Sequence, residues 1–174
     1  VSKRPILRQS GGLYYLEFDE TDDALSLTGM TATAGPITIS AGVNFTSGAN
    51  FDDDYVIDIA SGRILLMHNG NYALFATGPG EVDATTGTKD TDIVMTGLFR
   101  PSGSLRVNGA SEASFSMSNL PIGSSIKIGQ RYNESGLGGF RGNIYNFFIR
   151  AADTTGTDLT NLESYIADKS GVTL

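Results

Sequence analysis

The sequence predicts an all-β fold: a two-sheet antiparallel sandwich of jelly-roll type, closed by one short C-terminal helix. Three observations carry that expectation. Apolar and polar residues alternate with period two through most of the chain, the pattern of half-buried strands. Glycine is abundant, at 22 copies in 174 residues, and turn residues such as Asn-Gly and Ser-Gly separate the alternating stretches. No helical period appears before residue 157, so the β-α-β alternation of a parallel sheet is missing.

Taken in order, LYYLEFD (13–19) places Leu13, Tyr15 and Glu17 on one face and Tyr14, Leu16 and Phe18 on the other. ALSL (24–27) follows. In GPITISAGVNF (35–45), Ile37, Ile39, Ala41, Val43 and Phe45 alternate with small polar residues and mark a core strand. YVIDIA (55–60), RILLMH (63–68) and YALFAT (72–77) come next, and the NGN before the last is a hairpin signal because Asn and Gly accept positive φ. DIVMTGLF (92–99), SLRVNG (104–109), SSIKIGQ (124–130) and GNIYNFFIR (142–150) bring the set to about ten strands. Tyr145, Phe147 and Phe148 in the last read as core aromatics. Residues 1–12 read as an N-terminal arm or edge strand.

The tail changes period. Leu159, Leu162 and Ile166 recur at helical spacing, TNLE (160–163) reads as a capping box, and Lys169 and Gly171 suit a C-terminus. A helix over 157–171 is therefore predicted, packed on the sandwich edge or reaching a neighbour. No repeat or linker divides the chain, and residues 1–174 read as one domain.

Composition narrows the function classes. The formal charge is −7 with no basic cluster, so phosphate-driven nucleic-acid binding is not expected. No apolar run approaches the roughly 18 residues of a membrane span. Without cysteine there is no disulfide, zinc–thiolate site or thiol nucleophile. The one histidine, His68, has no nucleophile-elbow pattern to serve and reads as a strand-end residue. The chain begins at valine, as a processed product or a piece of a longer protein would.

LYYLEFDETDDALSL resembles the opening of laminin G-like, concanavalin A-like jelly rolls, where an apolar strand runs into FDG-x-DD-y-L. GPITISAGVNF is similar to their next core strand, SLRVNG to their "lyvNG" hairpin, and IKIGQRYNESGLGGFRGNIYNFFIR to their "l.iG…f.G.i.ev.iy". LESYIADKSGV resembles the closing helix of bacterial and phage members. RPILRQSGGLYYLEFD in particular resembles modules of phage tail and virion proteins. The resemblance implies a binding or structural module. It would sit in a virion or tail, contacting other virion or tail subunits or further copies of itself, or attaching to a cell-surface glycan. The alternative is a lectin-like accessory domain of a secreted or cell-surface bacterial protein. One departure stands out: Glu20 occupies the place of the family's glycine, where a positive φ would strain it.

The acidic run from Glu17 to Asp23 invites a third, remote reading as a glycoside hydrolase, because sandwich glucanases carry E-x-D-x-x-E on a strand. Glu17 and Asp19 share a face, and retaining chemistry wants carboxyls about 5–5.5 Å apart. Against it, the third acid falls after a turn, the strand is the first long one rather than a central one, and no tryptophan is present to stack a sugar. The expectation is no catalysis. Instead the acids cap backbone amides in a turn. Asp19, Asp22 and Asp23 are the alternative as calcium ligands, as are Asp52, Asp53 and Asp54, read as a loop. Calcium is the one cofactor these oxygens suit. For a glycan, the candidates are Arg131, Tyr132, Asn133 and Glu134 in one loop, with Asn69 and Tyr72 beside a hairpin turn. Both groups combine flat aromatic faces with planar hydrogen-bonding groups.

Overall fold

Ile37, Ile39, Ala41, Val43 and Phe45 are all at most 1% exposed, and this alternating row is the spine of the core. The computed structural model describes residues 4–29, 35–46, 53–60, 62–68, 70–76, 80–117, 123–131 and 139–174. The strands are β1 (Ile6–Ser10), β2 (Leu13–Asp19), β3 (Leu25–Thr28), β4 (Ile37–Phe45), β5 (Asp53–Ile59), β6 (Arg63–His68), β7 (Asn71–Ala76), β8 (Gly80–Thr86), β9 (Asp92–Phe99), β10 (Ser102–Val107), β11 (Ala110–Ser116), β12 (Ser125–Ile128) and β13 (Arg141–Arg150). One helix, α1 (Gly156–Ser170), follows them. They form an antiparallel sandwich, with a seven-stranded sheet in the order β1-β2-β13-β4-β9-β10-β11 and a six-stranded sheet in the order β3-β12-β5-β6-β7-β8.

Between the sheets, Phe140 packs edge-on against both Phe18 and Phe45, with centroids 5.6 and 5.4 Å apart. Each such pair contributes about 0.5–1.5 kcal/mol beyond its buried area. The Asn108-Gly109 turn between β10 and β11 has φ of 47° and 78°, the double positive φ its sequence allows. Residues 1–12 include a true edge strand, β1, exposed at all five positions.

The expected ten strands were too few. β1, β8 and β11 all lie at sheet edges. An edge strand buries little, so its sequence carries little alternation: ASEASFS in β11 and GEVDATT in β8 are mostly small and polar.

Two expectations for the helix are corrected. Its N-cap is Thr155, which makes no side-chain capping bond, and Thr160 lies inside the helix bonded to the Gly156 carbonyl. TNLE is therefore not a capping box. The C-terminus is as expected: Gly171 at φ 71° donates to the Ala167 carbonyl, and Lys169 sits in the last turn. Nor does α1 pack on an edge. Ile166 and Ala167 bury Val94 on the outer face of the seven-stranded sheet, and Ser170 fits against Gly42. That explains why the small polar residues of β4 are buried too. Thr38 and Ser40 lie under the helix end of the sheet, and the Ser40 and Thr96 hydroxyls bond each other at 2.8 Å.

Candidate binding face

α1 covers only part of that outer face. Register places Glu17 of β2 beside Asn143 of β13, Asn143 beside Asn44 of β4, and Asn44 beside Asp92 of β9. Residues paired across antiparallel strands share a face, so these four form a polar row crossing four neighbouring strands. Three interstrand steps of about 4.8 Å give it a length of about 14 Å. All four side chains are partly exposed.

The row is held in place by its own bonds. The Asn44 amide donates to Asp92 Oδ1 at 2.8 Å, the Tyr145 hydroxyl donates to the same oxygen at 2.7 Å, and the Arg8 Nε donates to Glu17 at 2.7 Å. A bulge in β13 at Tyr145 turns that ring toward Tyr15, 5.5 Å away between centroids. Burial, then the bond to Asp92, pushes the Tyr145 phenol well above its ordinary pKa, so it remains a donor at any physiological pH. Tyr145 was expected in the core, as were Phe147 and Phe148, yet the phenylalanines are 43% and 37% exposed. Beyond the bulge β13 pairs only with β4 and has lost β2 as a neighbour.

At the Glu17 end the row opens into a cleft of about 340 Å³ lined by Arg4, Asp19, Asp23, Arg141 and Asn143 among others. Its floor is the acidic turn. The Asp19 carboxylate accepts from the Thr21 amide at 3.0 Å, and Asp23 accepts from the Asp19 amide at 3.1 Å, the backbone capping expected of these residues. Glu20 takes φ 73°, the left-handed conformation that favours glycine, and its carboxylate lies 3.8 Å from Arg141.

Asp19, Asp22 and Asp23 also bring one carboxylate oxygen each within 4.8 Å of one another. Burial first, then the Asp19 charge, raises the Asp23 pKa. A carboxyl whose folded pKa is raised favours folding below its unfolded pKa, and this contribution is lost as pH rises through the folded one. Asp23→Asn is therefore expected to raise the melting temperature at neutral pH in chelator and to narrow the gap in stability between pH 4 and pH 7. A drop in melting temperature at neutral pH would contradict this account of Asp23.

The other candidates fare differently. Tyr72 is 4% exposed, tilted against Phe45, and its hydroxyl exchanges bonds with the backbone of Thr88. That is a correction, since a buried ring offers a glycan no face. Asp54 is also corrected. β5 begins at Asp53, so Asp53 and Asp54 are strand rather than loop, and Asp54 is 2% exposed. Buried in a strand, Asp54 is withdrawn from a loop cage of the kind read from the sequence. Asp52, Asn69, Tyr132, Asn133 and Glu134 lie outside the described residues. Arg131 stands at the base of its loop with the guanidinium 5.7 Å from the Tyr55 ring centroid. Among the described residues no helix is long and apolar enough to cross a membrane.

No family model matches the chain, and no curated protein sequence does. Solved structures do. The ligand-binding domain of botulinum neurotoxin serotype D, in complex with N-acetylneuraminic acid, aligns with TM-score 0.68 at 15% identity, over 91% of this chain and 44% of that one. The serotype G binding domain aligns with TM-score 0.66 at 11% identity, over 92% and 44%. A Trypanosoma rangeli sialidase, in complex with 2,3-difluorosialic acid as a covalent intermediate, aligns with TM-score 0.66 at 12% identity, over 92% and 28%. This chain thus spans less than half of each neighbour. At such identities the likeness defines the class of fold, an antiparallel β-sandwich, and nothing finer.

Proposed function

We propose that the chain is a non-catalytic glycan-binding module. The observation that carries this reading is the row Glu17–Asn143–Asn44–Asp92, a line of planar hydrogen-bonding groups fixed on a rigid sheet beside two tyrosine rings. Sugar hydroxyls both donate and accept, which amides and carboxylates match, while ring C–H faces pack on aromatics. The neurotoxin domain in complex with N-acetylneuraminic acid, on the same fold, supports the reading. Catalysis is disfavoured because β2 lies next to the sheet edge and Asp22 lies beyond a turn from Glu17 and Asp19. Asp19, Asp22 and Asp23 are the candidate calcium ligands, with Asp22 Oδ1 buried and lacking a hydrogen-bond partner. Calcium at 1 mM over a site of roughly 0.1 mM affinity would add about 1.4 kcal/mol of stability.

For its setting, the phage-like opening of the sequence favours a virion or tail component that attaches to host-surface glycans, over a secreted lectin-like domain. The exposed edge strand β1, with Arg4 just before it and Arg8 within it on an acidic chain, suits docking to other tail subunits or to another copy. Association in sedimentation runs at low salt, reversed by high salt, is expected of the virion role. A monomer throughout would favour the secreted one.

The function is tested by retention on immobilised glycans, with reducing ends assayed in parallel. Retention without release of reducing sugar is expected. Release that disappears in Glu17→Gln would make the chain a hydrolase.

A further inference from the structure

We infer that the ligand is a neutral oligosaccharide laid across the strands along the row from Glu17 to Asp92, and not a sialylated or otherwise anionic one. This rests on the glycan reading above and assigns the ligand class and its place.

The charge distribution argues for it. Asp92 receives its bonds from the amide of Asn44 and the phenol of Tyr145, both neutral, so its negative charge stands uncompensated at one end of the row. Glu17 at the other end is met by a single cation, Arg8. Just past Glu17 come the three carboxylates of Asp19, Asp22 and Asp23. Arg141 in the cleft lies within ion-pair range of Glu20. An anionic sugar would enter a face with more carboxylates than cations, on a chain of net charge −7, whereas hydroxyls meet acceptors throughout.

Length and access fix the place. A carboxylate has about four lone-pair positions, and the bonds to Asp92 and Glu17 fall on one oxygen of each, so the second oxygen of each can accept from a sugar hydroxyl. Asn143 and Asn44 lie between them, each partly exposed. α1 closes the same face at Gly42 and Val94, which limits the ligand to the uncovered half and to a short oligosaccharide.

The test is isothermal titration in chelator with cellohexaose, maltohexaose and mannohexaose as neutral probes, and sialyllactose and hexagalacturonate as anionic ones. At least one neutral probe is expected to bind, and the anionic ones at least tenfold more weakly. Asn143→Ala and Asn44→Ala are each expected to weaken neutral binding about tenfold, the effect of one lost hydrogen bond, with unchanged circular dichroism. Anionic probes bound as tightly as neutral ones would overturn the neutral assignment and leave the glycan reading standing. Full affinity in both folded alanine variants would overturn the placement. No binding by any probe, with or without calcium, would remove the glycan reading and this inference together.

Discussion

Gly142→Ala is expected to cost about 4 kcal/mol or more, enough to unfold a domain of ordinary stability at modest denaturant. Gly142 has φ +148°, a region all but closed to residues carrying a Cβ. A Cβ there would also overlap the backbone carbonyl oxygen of Asn44 and meet the Phe140 ring at 3.0 Å. Neither neighbour can move cheaply. Asn44 belongs to the central strand β4, and Phe140 is wedged between Phe18 and Phe45. Because Gly142 directly precedes Asn143, any shift of β13 that admits the methyl group also breaks the row. Urea denaturation should show the loss, and a cost under about 1 kcal/mol would contradict the close approach of β13 to β4.

Arg106→Ala is expected to destabilise by about 3–5 kcal/mol. Arg106 on β10 grips Glu163 of α1 with two bonds, of 2.8 Å from Nε and 3.0 Å from the terminal nitrogen, and also donates to the Gly109 carbonyl. The bond to Glu163 first, then its charge, raises the Arg106 pKa despite partial burial. Glu163 is 2% exposed, so removing arginine strands a carboxylate beneath the helix. The double variant Arg106→Met with Glu163→Met should recover most of the loss, since apolar replacements of a buried ion pair are often neutral. A double-mutant cycle measures this. Additive losses, with no recovery in the double variant, would mean that the pair does not hold α1 to the sheet.

The fold was legible where burial on one side writes itself into alternation. The odd-numbered residues of β4 were placed in the core from sequence, and they are there. The alternation failed where burial is two-sided or nearly absent. Ser40 and Thr96 are buried, and nothing local in the sequence says that α1, far along the chain, packs on that face of the sheet. β8 and β11 were missed because an edge strand has little to bury. Tyr72 was misread for a related reason. One residue past a turn, a tyrosine's face depends on register, and here it turns inward.

The candidate face was not legible at all. Glu17 was noticed for its acidic neighbours, but Asn44, Asp92 and Asn143 are lone polar residues in three other strands. Only the pairing of β2 with β13, β4 and β9 lines them up. The turn chemistry of the acidic run was readable, down to the strained Glu20, because Asp and Thr caps act over two to four residues.

The most direct test of the central claim is a two-dimensional amide NMR titration with the neutral oligosaccharide that binds most tightly. The row predicts saturable shifts at Tyr15, Glu17, Asn44, Asp92, Asn143 and Tyr145. Shifts confined to residues 68–72 and 130–139, with the row unmoved, would place the site at those residues and contradict it.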